Sequence, residues 1–174
     1  MVIKPLYAPL PLRTDIAPLD VRQALLNNYQ HFHVYPHPVQ ICLVSALRLL
    51  IKETQINEFL TAHANLKGVE FIEKVFEELN FSYEVSQRDL DNVPAYGPLI
   101  IVANHPLGGL DGLSILHLIR AVRRDVKIVA NHLLKQITPL SDLFLAVDNM
   151  SGETRKQDIL KIEQSLQSGE AVIF

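Results

Sequence analysis

Two residue types suited to acid–base chemistry, a histidine and an aspartate, flank a short glycine-rich segment of this chain. His105 precedes the segment, Gly108 and Gly109 lie within it, and Asp111 follows it. A glycine pair permits a tight loop, which can return the carboxylate of Asp111 towards the imidazole. A carboxylate bonded to one imidazole nitrogen fixes the tautomer and leaves the other nitrogen as a base. The spacing therefore indicates general-base catalysis, in which His105 deprotonates a hydroxyl or amine that attacks an activated acyl group.

Such a reaction also requires hydrogen-bond donors that stabilise the developing oxyanion. Backbone N–H groups near Gly108 and Gly109 could supply them. The plainer alternative is that Asp111 only caps a helix and that His105 is only a loop histidine. The spacing alone leaves both interpretations open.

The sequence Ile-Val-Ala-Asn-His occurs twice, at residues 101–105 and 128–132, so His132 competes with His105 for the catalytic role. The segment after His132 reads Leu-Leu-Lys-Gln-Ile-Thr, and the next carboxylate along the chain is Asp142. We therefore assign the base to His105. His132 is expected to face the same edge of the sheet as His105, the alternative being that it only ends a strand.

Buried strands must position both segments. The continuous apolar run 99–103 is typical of a strand covered on both faces, residues 126–130 are predicted as a second buried strand, and residues 110–124 have helical spacing. Ligands of α/β proteins gather at the carboxyl ends of parallel strands, and each histidine directly follows a strand. The sequence therefore predicts one site at this edge of a sheet.

The remaining pattern predicts an α/β fold with a central, mostly parallel sheet flanked by helices. Residues 1–66 are expected to form a helical N-terminal segment, with residues 1–18 extended, and residues 67–174 the α/β domain. The chain stops at Phe174 inside an apolar run, so the domain is expected to continue beyond it. Further elements are predicted as helices at 20–25, 39–52, 55–64, 69–79, 133–137 and 154–167, and as strands at 81–85, 143–147 and 171–174.

Composition narrows the class of protein. The chain has 174 residues, 48% of them apolar, and a net charge of -3, which favours a globular protein and disfavours nucleic acid as a partner. Its single cysteine, Cys42, excludes an internal disulfide framework and favours a reducing, cytoplasmic location. Cys42 is predicted to be a small buried hydrophobe.

The most apolar run, residues 39–51, is too short to span a bilayer. Its few charges favour a core helix, and a helix lying in a membrane interface is the alternative.

Two other clusters carry weaker signals. His31, His33 and His37 resemble a metal-binding tract, but no cysteine is near, so no metal is predicted. The second cluster, of basic residues, follows the glycine-rich segment. It either attracts the phosphates of a ligand or an anionic lipid surface or, as we favour, complements a helix C-terminus and stays solvated. Its members are Arg120, Arg123, Arg124 and Lys127.

The sequence Asn-His-Pro-Leu-Gly-Gly-Leu-Asp-Gly at 104–112 resembles the catalytic block of the glycerolipid (lysophospholipid) acyltransferase superfamily. The commoner pattern has four residues between the histidine and the aspartate, whereas five stand here. This form is similar to a hemolysin-like, ornithine-lipid-type branch. The resemblance covers roughly residues 80–174 and includes residues 143–149, where a second family block usually lies.

The resemblance implies transfer of a fatty acyl group from acyl-CoA or acyl-carrier protein to a lyso-lipid or related acceptor. It implies no cofactor beyond that donor, and peripheral association with the inner face of a membrane. The catalytic pair would be His105 and Asp111. The residues that would bind substrate are Asn104, Pro106, Leu107, Gly108, Gly109, Asn131, His132 and Asp148.

Three departures from the family pattern bear on the acceptor. Asn131 stands where the family often has lysine, and Asp148 stands where it often has arginine. The third family block would follow Phe174. These departures leave two alternatives open: a lipid- or acyl-CoA-binding module without catalysis, and a hydrolase that uses water as the acceptor.

Overall fold

A computed structural model describes residues 18–104, 108–131, 134, 137–147 and 156–174. The helices of this part are α1 Val21–Asn28, α2 His37–Ile51, α3 Glu53–Ala62, α4 Val69–Glu78, α5 Gln87–Asp91, α6 Gly109–Val122 and α7 Lys156–Gln167. The strands are β1 Leu99–Ile101, β2 Val126–Ala130, β3 Phe144–Ala146 and β4 Ala171–Ile173. Short 3-10 helices cover Gln30–Val34 and Thr138–Leu143.

The strands form one sheet in the order β1-β4-β2-β3, and every pairing is parallel. Ala171 of β4 is in register with Leu99 on one side and Val126 on the other. The predicted parallel α/β architecture, with helices around the sheet and a helical N-terminal part, is therefore confirmed. The division at residue 66 stays a prediction.

The core lies between the sheet and helices α4 and α6. The predicted inward face of α4 is confirmed for Ile72 and Phe76, which are buried. Leu116 of α6 and Ile173 of β4 are fully buried in the same cluster. In the described part of the chain, no helix combines the length and apolar character needed to cross a bilayer.

The strand predicted at 81–85 is wrong. These residues pair with no strand, although Phe81 and Tyr83 are partly buried in the core cluster. Their rings lie 5.2 and 6.1 Å from that of Phe76. The alternating pattern therefore arises because two aromatic side chains pack against α4, and not because the segment is a strand of the sheet.

Two predicted burial patterns also need correction. Strand β1 forms an edge of the sheet, and Ile100 is 55% exposed, so this strand is not covered on both faces. On α7, Ile159 was expected to point inward but is exposed, whereas Asp158 and Ser165 are buried. The short helix predicted at 133–137 and the extended segment 1–18 lie largely outside the described residues.

Helix α2 is not a core helix, contrary to the prediction. Val44 is its buried residue, and Cys42, predicted to be buried, is exposed. The helix packs mainly against α1 and α3. An apolar pattern alone cannot identify a core position, because it does not show whether another element covers it.

Arg123 holds together the amino edge of the sheet and corrects the prediction of a fully solvated basic cluster. Its side chain is 1% exposed and donates two hydrogen bonds to the carboxylate of Asp125, at 2.8 and 2.7 Å. It also donates to the carbonyls of Pro94 and Gly169. Hydrogen bonding from Arg123 lowers the pKa of Asp125, so the stabilisation from this pair is lost as pH falls through that folded pKa.

We predict that Arg123→Lys destabilises the chain by about 2 kcal/mol, because lysine cannot supply the planar fork that reaches three partners. Urea unfolding followed by circular dichroism measures the change. Arg124→Lys, which alters an exposed neighbour, serves as the control. Equal stability of the two variants would contradict the role assigned to Arg123.

Candidate active site

The parallel strands bring the two echoed segments to one edge of the sheet. Asn104 lies three residues after the end of β1, and Asn131 directly follows β2. Strand β4 separates β1 from β2, so these two strands lie about 10 Å apart. The placement of both segments at the carboxyl edge is thus confirmed for the described residues, and a single site formed by them stays a prediction.

A glycine turn leads from the first of these segments into α6. Gly108 has φ 68° and ψ -120°, a conformation open to glycine and strained for other residues. The helix begins at Gly109, and the N–H of Gly112 donates to the carbonyl of Gly108. The first N–H groups of a helix have no partners within it, so this turn directs donors towards the carboxyl edge.

Asp111 lies in the first turn of α6, where its negative charge is favoured by the helix dipole. It is half-buried, whereas Asn104, Gly108 and Gly109 are exposed. The structure therefore places a carboxylate beside a cluster of backbone donors. This is the arrangement required if Asp111 orients an imidazole from the preceding loop.

Several predicted site residues fall outside the described residues. These are His105, Pro106, Leu107, His132 and Asp148. The pairing of His105 with Asp111, and the choice of His105 over His132, consequently stay predictions.

Asn131 is half-buried, and its Oδ1 atom accepts a hydrogen bond of 3.1 Å from the N–H of Leu134. The side chain therefore stabilises the turn that follows β2. This contact supports a role in shaping the edge of the site, while direct contact with an acceptor stays a prediction.

A cluster that the sequence analysis did not identify joins α4 to α6. The hydroxyl of Tyr83 lies 2.5 Å from Nδ1 of His117, and Nε2 of that ring lies 3.4 Å from Glu73. Burial raises the pKa of Tyr83, and its hydroxyl shares a hydrogen bond with the imidazole of His117. With both ring nitrogens engaged, and Phe76 against the ring, His117 acts as a clamp between the helices.

The basic residues after the motif partly line a cavity at the amino edge of the sheet. Arg120 lies nine residues beyond Asp111 on α6, or about 14 Å along the helix. The cavity has a volume of about 570 Å³, and Lys67, Arg120 and Arg124 line it together with Glu70 and Asp142. Its charges are therefore mixed, and it lies at the opposite edge from Asp111.

His31, His33 and His37 are exposed in and after the connection between α1 and α2. Within the ranges that the structure describes, no three histidine, cysteine or acidic side chains converge as metal ligands.

Residues 37–168 match the model of the protein family described as Acyltransferase. This segment includes more than half of the chain, both echoed segments and the glycine turn. The chain therefore belongs to this acyltransferase family, which confirms the resemblance drawn from residues 104–112.

Two curated relatives narrow the comparison. The chain is 32% identical over 133 residues to a protein of Bacteroides thetaiotaomicron named lyso-glycine lipid O-acyltransferase, a match covering 76% of this chain and 48% of the relative. It is 30% identical over 114 residues to a protein of the same name from Phocaeicola vulgatus, covering 65% of this chain and 40% of the relative. The chain thus matches about half the length of these relatives or less. No solved structure matches it.

We predict that Gly108→Ala destabilises the chain by about 1–2 kcal/mol, since alanine is strained at φ 68°. The open space around the position means that backbone strain, rather than a clash, causes the loss. Gly109→Ala is the matched control: it lies in the helix, has equal space, and should leave stability unchanged or raise it. Chemical unfolding of both variants tests the difference, and an unaffected Gly108→Ala chain would contradict it.

Proposed function

We propose that this chain is the catalytic part of a lipid O-acyltransferase, which transfers a fatty acyl group to the hydroxyl of a lyso-lipid. The observation that carries the proposal is the carboxylate of Asp111 in the first turn of α6, directly after the Gly108 turn. Membership of the acyltransferase family supports it, as do two relatives named lyso-glycine lipid O-acyltransferase. The names of these relatives make a lyso-glycine lipid the first acceptor to test.

In the proposed reaction, His105 removes the proton from the acceptor hydroxyl as its oxygen attacks the carbonyl carbon of an acyl thioester. Asp111 bonds to the other ring nitrogen, keeps the required tautomer and stabilises the imidazolium that forms. The tetrahedral intermediate then collapses, the carbon–sulfur bond breaks, and the thiolate takes the proton from the imidazolium. A positioned base contributes roughly 10² to 10⁴-fold to such a rate.

The glycine turn supplies the electrostatic part of the mechanism. Backbone N–H groups at the start of α6 stabilise the negative oxygen of the intermediate, and the positive end of the helix dipole adds to the effect. Because Gly108 and Gly109 have no side chains, a thioester carbonyl can approach this backbone closely.

The donor is proposed to be acyl-CoA or acyl-carrier protein, since both present the acyl group as a thioester. The acceptor pocket is proposed to include Asn131, His132 and Asp148. The neutral amide of Asn131, where related enzymes often carry lysine, favours an acceptor other than glycerol phosphate. We propose that the reaction occurs in the cytoplasm, at the inner face of the membrane.

We predict that His105→Ala lowers acyl transfer by at least about 100-fold without loss of the fold. Asp111→Asn should cost less, because the amide keeps the shape of the side chain but not its charge. His132→Ala should cost least. Transfer from labelled acyl-CoA and acyl-carrier protein to a panel of lyso-lipids, with lyso-glycine lipid included, measures these rates, and circular dichroism checks folding.

Each alternative gives a distinct outcome in this assay. Equal losses in His132→Ala and His105→Ala would show that the second histidine shares the chemistry. Free fatty acid without an acylated acceptor would identify a hydrolase. Donor or lipid binding without turnover by the full-length protein would support a binding module and overturn the proposal.

A further inference from the structure

The cavity at the amino edge of the sheet combines cationic side chains from two separate segments. Lys67 precedes α4, whereas Arg120 lies in the last turn of α6 and Arg124 follows that helix. Lys67 and Arg124 are exposed, and neither forms an ion pair within the part of the chain that the structure describes. Cations that no carboxylate holds are free to attract an anion from solution.

Arg120 carries a hydrogen-bonding group that the fold leaves without a partner. Its Nη1 atom donates to the carbonyl of Arg124 at 2.7 Å, just beyond the end of α6. Its Nε atom is buried and has no hydrogen-bond partner among the described residues. A buried donor that stays unpaired lowers stability, and an acceptor oxygen from a ligand in the cavity would remove that cost.

The N-terminus of α4 adds backbone donors to the same cavity. Its N-cap, Gly68, has no side chain that could cap the helix, and both Gly68 and Val69 line the cavity. The first N–H groups of a helix have no partner within it, and the helix dipole is positive at this end. Such a terminus favours phosphate, so it reinforces the attraction exerted by the three cations.

Hydrogen bonds between distant segments hold the walls of the cavity in place. The N–H of Gly68 donates to the carbonyl of Pro139 at 2.9 Å, and Nζ of Lys127 donates to the carbonyl of Asp142 at 2.8 Å. These bonds fasten the 3-10 helix Thr138–Leu143 to the start of α4 and to β2. The walls are therefore formed by the fold itself, which lowers the cost of ordering them around a ligand.

Two carboxylates limit the charge that the cavity can accept. Glu70 and Asp142 belong to its lining, and both are exposed. They leave a modest excess of positive charge from Lys67, Arg120 and Arg124. A single phosphate group suits this balance better than a long polyanion such as a nucleic acid.

We propose that this cavity binds the phosphate group of a small soluble anion. Arg120 and Arg124 supply charged donors to its oxygens, and the N–H groups at the start of α4 supply neutral ones. Two sources offer this chemistry: a free phosphate, and the nucleotide end of CoA, the second of which rests on the proposed function. Arg120 lies about 14 Å along α6 from Asp111, so the bound phosphate stands apart from the acyl transfer.

Isothermal titration calorimetry of the full-length protein tests the proposal, with inorganic phosphate, adenosine 3′,5′-bisphosphate and CoA as separate ligands. Arg124→Gln should weaken phosphate binding at least about fivefold, because a charged donor is lost. The matched control Arg88→Gln removes the same charge from an exposed position on α5 and should leave binding unchanged. Sodium chloride should weaken binding to the unaltered protein, since it screens the exposed cations.

A second pair of variants should act in the opposite direction. Glu70→Gln removes a carboxylate from the lining, so phosphate should bind at least about twofold more tightly. Glu78→Gln makes the same change at the other end of α4, where the side chain is also exposed, and should have no effect. Circular dichroism verifies that each variant is folded.

The ligands distinguish the two sources of the phosphate. Much tighter binding of CoA and of the bisphosphate than of inorganic phosphate, weakened by Arg124→Gln, would identify the acyl donor. Comparable affinities for the three ligands would identify a free phosphate. Absence of binding by all three would overturn the proposal, as would equal losses in the Arg124→Gln and Arg88→Gln proteins. Because no acyl transfer is measured, either result leaves the proposed catalytic roles to their own assay.

Discussion

In the part of the chain that the structure describes, all four strands run in the same direction, and this constraint decides where chemistry can occur. Parallel neighbours need crossover connections, so every strand ends at the same edge, where the chain enters a loop or a helix. Helix α6 forms the crossover between β1 and β2. Its N-terminus follows β1 after a short loop and therefore lies at the edge where β1 ends. Asp111 and the donors of the glycine turn occupy this position because of the topology of the sheet.

The sequence predicts those parts of the fold that local patterns determine. Strand β2 is a short, largely apolar run and helix α4 has a clear helical periodicity, and both are found within a residue of their predicted bounds. Arg123 shows the limit of this approach. Its partners Pro94 and Gly169 lie 29 and 46 residues away, so only the folded chain shows that their carbonyls converge on one guanidinium.

The same distinction holds for the candidate site: local sequence predicts its glycine turn but not the contacts between distant residues. Adjacent glycines before an aspartate predict a tight turn and a helix start, and the positive φ of Gly108 has that origin. The tyrosine–histidine–glutamate clamp has no such signal, because Tyr83 and Glu73 lie 34 and 44 residues from His117. Helix α2 misleads for a different reason. A helix with few charges is typical of a core, and its sequence does not show that one side meets solvent.

The position of β4 in the sheet has a consequence for biosynthesis. This strand separates β1 from β2, and it is the last element to leave the ribosome among those described. Strands β1 and β2 have no direct partner in one another, so the sheet remains divided until synthesis of residues 171–173 is complete. Such long-range pairing folds slowly and leaves strand edges open to pairing with other nascent chains until then.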